Sequence, residues 1–556
     1  MRYSTLQEIR KSTYTTDVFG GYNHNVSISE SEFFDMKNMT SSYYPVLSPR
    51  GKRGIYEYPT EGDHFCNGMI EKDELCYVDG TKLFIDNVEV EGFEVTNSPK
   101  NLVSMGAYLV IFPDKKYINT RDFTDNGTLE NHYLSQGTVT FELCKLDGDL
   151  YTDATISDIE PTEPSNKDLW IDTSHTPHTL KQYSSTSYMW VSIATTYVKI
   201  KAKDIALGIN KYDAVKISGI HDLIGLSQLE GQTSIVWDVY RDDDSDGNND
   251  YIVVVGIIDL VKTQTTPLKV ERLVPNMDFV VESENRLWGC RYGKDINGNT
   301  VNEIYACKLG DFKNWNCFMG LSTDSYTVSC GTDGEFTGAI NHLGHPIFFK
   351  ENYLHKIFGN FPSNYQVQTT SCRGVQMGCG NSLAIVNERL FYKGRNGVCS
   401  YDGTLPVEVS EAFGDIHYTG LDKSPIADPL RCGAVAGSHQ NKYYICLKSE
   451  IDEKWYLFVY DVSKNMWHKE DQVRISNFCS VKGELYYVDY NDKQIHTVLG
   501  TGTPSTEEVS WMVESGMLGT SAYNRSLDRK YISRVNVRLN LDIRTRIMFY
   551  IQYDSS

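Results

Sequence analysis

A chain of 556 residues is too long for one compact core; at about 150 residues per domain it divides into two to four units, fewer if one is a large β-architecture. Apolar residues make up 40% and charged residues 23%, which excludes general disorder, and 12% aromatics, led by 37 Tyr, favour sheets over a helical bundle. The 53 Lys and Arg against 73 Asp and Glu leave a net charge of −20, which argues against a duplex-binding module, since such modules gain affinity by neutralising phosphates.

The opening MRYSTLQEIRKS lacks the apolar stretch of a secretory signal. The longest greasy run, 251–261, is too short to cross a bilayer and contains Asp259. A soluble product that begins life in the cytoplasm is expected. Residues 1–60 read as an extended N-terminal arm followed by a first strand. The arm's polar stretches, broken by Gly20-Gly21 and Pro45, cannot build a core alone. Two roles remain open for it: ordering against a neighbouring subunit, or supplying the leading strand that closes a ring.

From residue 61 onward a hairpin keeps returning, each copy an alternating apolar run, a polar turn and a second alternating run. The copies lie at 74–86, 107–120, 285–309, 345–359, 388–403, 441–462 and 484–498. NRLW, NYLH, ERLF and ELYY share a local pattern within them. Two-residue periodicity dominates, and successive copies after Asn285 stand about 45–60 residues apart, near the spacing of a four-stranded propeller blade. The expected fold is therefore all-β: a β-propeller-like ring of antiparallel hairpin blades. The first blades fall in 61–124 and the remaining ones in 266–500. A string of β-sandwich domains is the alternative.

Between 125 and 265 the composition changes. A Pro/Thr/Asp stretch (DIEPTEPSNKDLW) precedes closely spaced strands, which predicts an inserted small β-barrel or sandwich. Such insertions are tolerated when their ends lie close together. Residues 501–556 form a C-terminal β segment after a Gly/Ser/Thr/Pro linker. Val535, Val537, Leu539, Leu541 and Ile543 would line one face of it, and the chain stops on Asp-Ser-Ser as though a partner strand were missing. The basic residues Arg525, Arg529, Lys530, Arg534, Arg538, Arg544 and Arg546 run against the overall charge. They suit either an acidic partner or a solvated strand face.

The search for chemistry finds little. There is no GxSxG, HExxH, GxxxxGK[ST] or GxGxxG, and the acids sit mostly in turns, so neither catalytic nor cofactor-binding residues are assigned. The thirteen cysteines are odd in number and without a CxxC, and the closest pair, Cys372 and Cys379, is badly spaced for zinc. They read as reduced, buried hydrophobes. His342 and His345 would splay from a strand turn. Asp242, Asp244, Asp246, Gly247 and Asp250 match the front half of a calcium loop, but Val253 stands where the twelfth-position Glu belongs, so an acidic hairpin tip is favoured over a metal site.

Residues 17–53 carry a more specific signal: Gly20, Gly21 and Asn23, then Asp35 and Asn38, then Pro45, Leu47, Arg50 and Arg53. With NRLWG at 285–289 and NEIYACKLGDFKNW at 302–315, this pattern resembles the β-propeller nozzle (tail tubular protein B) and tail stabilisation proteins of bacteriophages. The resemblance implies a non-enzymatic virion structural protein, assembled in the host cytoplasm. It would be a homo-oligomeric, six-fold ring in the tail, a head–tail connector component around the DNA exit path used in genome ejection. Its partners would be further copies of itself and portal, adaptor or other tail proteins, with DNA passing through the lumen unbound. An acidic ring would repel that DNA. The alternative is a tail-tip host-recognition protein in which Trp170, Trp315 and Trp467 stack on glycans, although all three sit next to strand patterns and core packing is the stronger reading for each. A glycan-active propeller enzyme ranks third.

Overall fold

The computed structural model describes residues 13, 15–221, 229–242, 247, 249–295, 297–422, 433–517, 534–541 and 545–552. Among these the chain is all-β; the helical pieces are three single 3-10 turns, and no helix is long and apolar enough to cross a membrane.

The chain is a β-propeller. Seven antiparallel sheets follow one another as blades. Blade 1 is Cys66–Lys72, Glu74–Asp79, Lys82–Ile85 and Val88–Glu94; blade 2 is Asn101–Met105, Tyr108–Phe112, Lys116–Asn119 and Asp122–Thr128. After a long insertion, blade 3 runs from Phe279–Ser283 to Tyr326–Ser329 and blade 4 from Phe336–His342 to Gln366–Ser371. Blade 5 spans Ala384–Val386 to Val407–Glu408, and blade 6 Val435–His439 to Met466–Lys469. Blade 7 has Ile475–Val481, Glu484–Asp489 and Ile495–Thr497, and takes its outer strand, Gly54–Tyr56, from the other end of the chain. The first strands of neighbouring blades pack side by side around the centre, with the turn Gly380–Ser382 between those of blades 4 and 5, and that of blade 7 packs on that of blade 1, so the ring closes.

The recurring hairpins are the second and third strands of these blades. Both faces of a blade are covered by its neighbours, so these strands carry apolar side chains on both sides and read as near-continuous runs such as YLVIF and YYICL. One seam joins Val78, Leu83, Leu109 and Ile118 of blades 1 and 2. Another joins Tyr444, Leu457, Ile475 and Leu485 of blades 6 and 7. The tight turns leading into the second strands use paired left-handed residues, Glu284-Asn285 and Asn387-Glu388 for example, which match the twist of a two-residue hairpin.

The insertion forms a barrel between blades 2 and 3. Asn131–Leu134 and Val139–Cys144 pair in order with Lys269–Arg272 and Val261–Gln264, so two long bent strands run together. From Val139–Cys144 the ladder passes through Tyr197–Lys201, Tyr251–Val255, Thr233–Tyr240 and Ala214–Ser218, and returns to Lys269–Arg272. Val139, Phe141, Val198, Ile217, Ile252 and Val270 fill the interior. The barrel thus reaches Arg272, beyond the boundary at 265, because Lys269–Arg272 continues the same bent strand. Asp213 ties it to blade 3, accepting from Arg272 at 2.5 Å and from Asn314 Nδ2 at 2.9 Å. Beside the barrel lies a separate sheet of Ala154–Ser157, Leu169–Asp172, Thr179–Ser184 and Met189–Ser192.

Candidate assembly site: the clasp at the propeller seam

Both ends of the chain meet on blades 6 and 7. Gly21–Tyr22 pairs with Glu32–Lys37, which pairs in turn with Met512–Ser515 near the other terminus. This three-stranded patch lies against the outer strand of blade 6, Met466–Lys469. Gly21 has φ +90°, and a Cβ there would stand 2.6 Å from the Trp467 carbonyl oxygen, so the chain crosses blade 6 closely only with glycine at this point. Tyr22 and Met36 reach the core shared by blades 4, 5 and 6.

Beyond this patch two arginines enter the protein. The Arg53 guanidinium donates to Asp471 Oδ2 from Nε at 2.9 Å and from Nη2 at 2.6 Å, to Glu470 Oε2 at 2.5 Å, and to the Val498 carbonyl at 2.9 Å. Arg50 pairs with Asp471, donates to Glu507 Oε1 at 2.8 Å and reaches Asn38 Oδ1 at 3.1 Å. Asn38 in turn donates to the Ser510 carbonyl at 2.7 Å. Burial works against the Arg53 charge, but Asp471 and Glu470 outweigh it and hold the guanidinium well above its ordinary value. For Glu470 burial alone would raise the carboxyl; Arg53 and His468 pull it well below the usual carboxylate range. His468 is buried with its Nε2 3.4 Å from Glu470, and burial holds it below the ordinary histidine value. A pair taken this far from water persists because the Arg53 guanidinium meets Asp471, Glu470 and the Val498 carbonyl at once.

Placement follows from local sequence. Arg53 stands directly before Gly54–Tyr56, the strand that completes blade 7, while Glu470 and Asp471 directly follow the last strand of blade 6. Gly54 is required: a Cβ would fall 1.8 Å from the Thr501 carbonyl oxygen, where Thr503–Pro504 pairs on the same strand. Asp35 pairs with Lys469, and Leu47 packs on the core of blades 4 to 6. Of the residues singled out in 17–53, Gly21, Asp35, Asn38, Leu47, Arg50 and Arg53 therefore converge on one clasp. Asn23 closes a local turn through Glu32. The arm supplies the ring-closing strand. Glu470, Asp471 and His468 were not found from the sequence: they lie more than 400 residues from Arg53 in the chain and resemble the other turn acids.

Other candidates resolve differently. Trp170, Trp315 and Trp467 are 5%, 1% and 2% exposed, and each indole donates to a backbone carbonyl (Ser157, Phe312 and Val409). Packing, not glycan stacking, accounts for all three. His342 and His345 bond separate carbonyls, Glu388 and Ile357, as their strand turn dictates. Asp242 receives Asn249 Nδ2 and its backbone N–H donates to Asp250 Oδ1 at 2.9 Å, which closes the hairpin tip; Asp244 and Asp246 lie outside the described residues. A carboxylate group the sequence did not reveal, Asp489, Asp492 and His496, is a turn in which His496 bonds Asp492 at 2.9 Å. Burial pushes thiols such as Cys446 up to about 12, which keeps them inert.

Within the C-terminal β segment, Thr503–Pro504 and Met512–Ser515 form strands. Residues 534–541 and 545–552 make no ladder among the described residues; Ile543 and Arg544 lie outside them, as do Arg525, Arg529 and Lys530. Val535, Val537, Leu539 and Leu541 are 44–55% exposed, and Arg534 donates locally to Asn536.

No family model and no curated protein matches this chain. Among solved structures, two of AztD from Citrobacter koseri are similar at 10% identity. The apo form has a TM-score of 0.27, covering 79% of this chain and 95% of that one, and the second has 0.26, covering 82% and 98%. BamB from Moraxella catarrhalis is also similar at 10% identity and a TM-score of 0.20, covering 54% and 95%. These likenesses concern the fold and say nothing of ligand or partner.

Proposed function

We propose that this protein is a non-enzymatic virion structural protein, a ring component of a phage tail nozzle that forms or stabilises the DNA exit conduit below the portal. The observation that carries this reading is the clasp: six of the nine residues behind the family resemblance are committed to locking both chain ends onto blades 6 and 7. Such a lock makes the propeller a rigid building block. A cyclic ring needs head-to-tail interfaces, each burying more than about 1,000 Å². The net charge of −20 per copy then keeps passing DNA from adhering.

Mass photometry of the purified full chain, alone and mixed with portal and adaptor proteins, tests the proposal. It expects a closed assembly near six copies in at least one of these conditions, with no shift of duplex DNA at physiological salt. A monomer under all of them contradicts it.

A further inference from the structure

The segment 534–541 has one apolar face, Val535, Val537, Leu539 and Leu541, and one polar face, Arg534, Asn536, Arg538 and Asn540. This is the pattern of a half-buried strand, yet its apolar side chains stand in solvent. The chain also holds a strand with the opposite deficit. Met189–Ser192 is the edge of the sheet beside the barrel; its inner side pairs with Thr179–Ser184 and its outer side has no partner strand among the described residues. Natural edges are blunted by charge, proline or a bulge. The outer strand Asp122–Thr128 of blade 2 is guarded in this way, by two aspartates and a register shift. Met189–Ser192 has none of these guards: Met189 and Val191 are 59% and 52% exposed, and the preceding Tyr188 is 81% exposed. On its other face the Trp190 indole N–H is buried and finds no acceptor.

We propose that residues 534–541 of one copy add as a fifth strand to the Met189–Ser192 edge of a second copy. The inference rests on the ring reading and names its interface. Period-two alternation sets the apolar side chains of the added strand beside Met189 and Val191, and its Asn and Arg positions beside Trp190, where an asparagine carbonyl supplies the missing acceptor. Charge selects the occupant. Residues 525–546 hold seven Lys and Arg against two Asp, whereas residues 146–196, which carry the acceptor sheet, hold eight Asp and Glu against two Lys. Each copy thereby offers one donor strand and one acceptor edge, the head-to-tail arrangement that closes a ring.

The test mixes two full-length variants, Val191→Cys and Leu539→Cys (with Val537→Cys as the register alternative), and adds a short bis-maleimide. A crosslinked pair that forms only in the mixture supports the proposal. Rings that form without any such crosslink overturn it while leaving the ring reading in place, and the absence of rings overturns the reading itself. A Val191→Cys/Leu539→Cys double variant that links only within single chains also overturns it. In parallel, Val537→Ser/Leu539→Ser should lower the assembly state at an unchanged thermal transition; an unchanged assembly state contradicts the proposal.

Discussion

Two stretches from opposite ends of the chain carry the same kind of sequence: alternating strand residues with interspersed arginines. In residues 21–56 every element finds its counterpart inside the molecule. Tyr22 and Met36 enter a core, Gly54–Tyr56 completes a blade, and Arg50 and Arg53 meet Glu470 and Asp471. In residues 534–541 the same ingredients stay in solvent. Alternation fixes which side chains share a face; it does not supply the surface that covers them. The first stretch belongs to the folding of one chain; the second, we propose, awaits the edge of a neighbouring copy.

The largest effect is expected from breaking the clasp. Arg53→Ala leaves Glu470 and Asp471 buried without their shared cation, and should cost about 3–5 kcal/mol in denaturant unfolding. A loss under about 1 kcal/mol, the range of a surface pair, would remove the clasp from the account. Next comes Gly21→Ala. Its φ of +90° and the nearby Trp467 carbonyl predict a cost of about 1–3 kcal/mol and looser arm strands in hydrogen exchange, and an unaltered exchange pattern would speak against that close crossing.

Acid sharpens the comparison from a different direction. His468 has a folded-state value below its unfolded one, so the unfolded chain takes up the proton first. Stability therefore begins to fall as pH drops below about 6.5, at up to about 1.4 kcal/mol per pH unit. Burial holds His355, on blade 4, at about 4, so it contributes over the same upper range. Glu470, also depressed, contributes stability that is full above about 4.3 and is lost at lower pH. Urea unfolding at pH 7.5, 6.0 and 5.0 should show the decline, and His468→Gln should flatten part of it; equal slopes in both chains would contradict the assignment.

The smallest effect belongs to the outer segment. Val537→Ser/Leu539→Ser should move unfolding of the isolated chain by less than about 0.5 kcal/mol, since neither side chain is covered. A loss of several times that size would mean the segment packs within its own chain.

The fold was legible where both faces of a strand are buried. The hairpins at 74–86 through 484–498 emerged because inter-blade packing makes second strands such as YLVIF and YYICL near-continuous apolar runs. The fourth strands, such as DFTDNGT and QVQTTS, did not, since they are outer and half exposed. Arg50 and Arg53 could be marked from their spacing, but their acids could not: the contact joins residues about 420 positions apart, and 73 acids offer no local sign of which ones are buried. The tryptophans were legible in part: Trp315 and Trp467 stand next to strand patterns, which favours core packing, and the seams cover both.

The most direct test of the central claim is electron microscopy of the purified full-length chain, with particle averages taken alone and on its connector. The account predicts closed six-fold rings with an open lumen. Single propellers with no closed ring, on or off the connector, would contradict it.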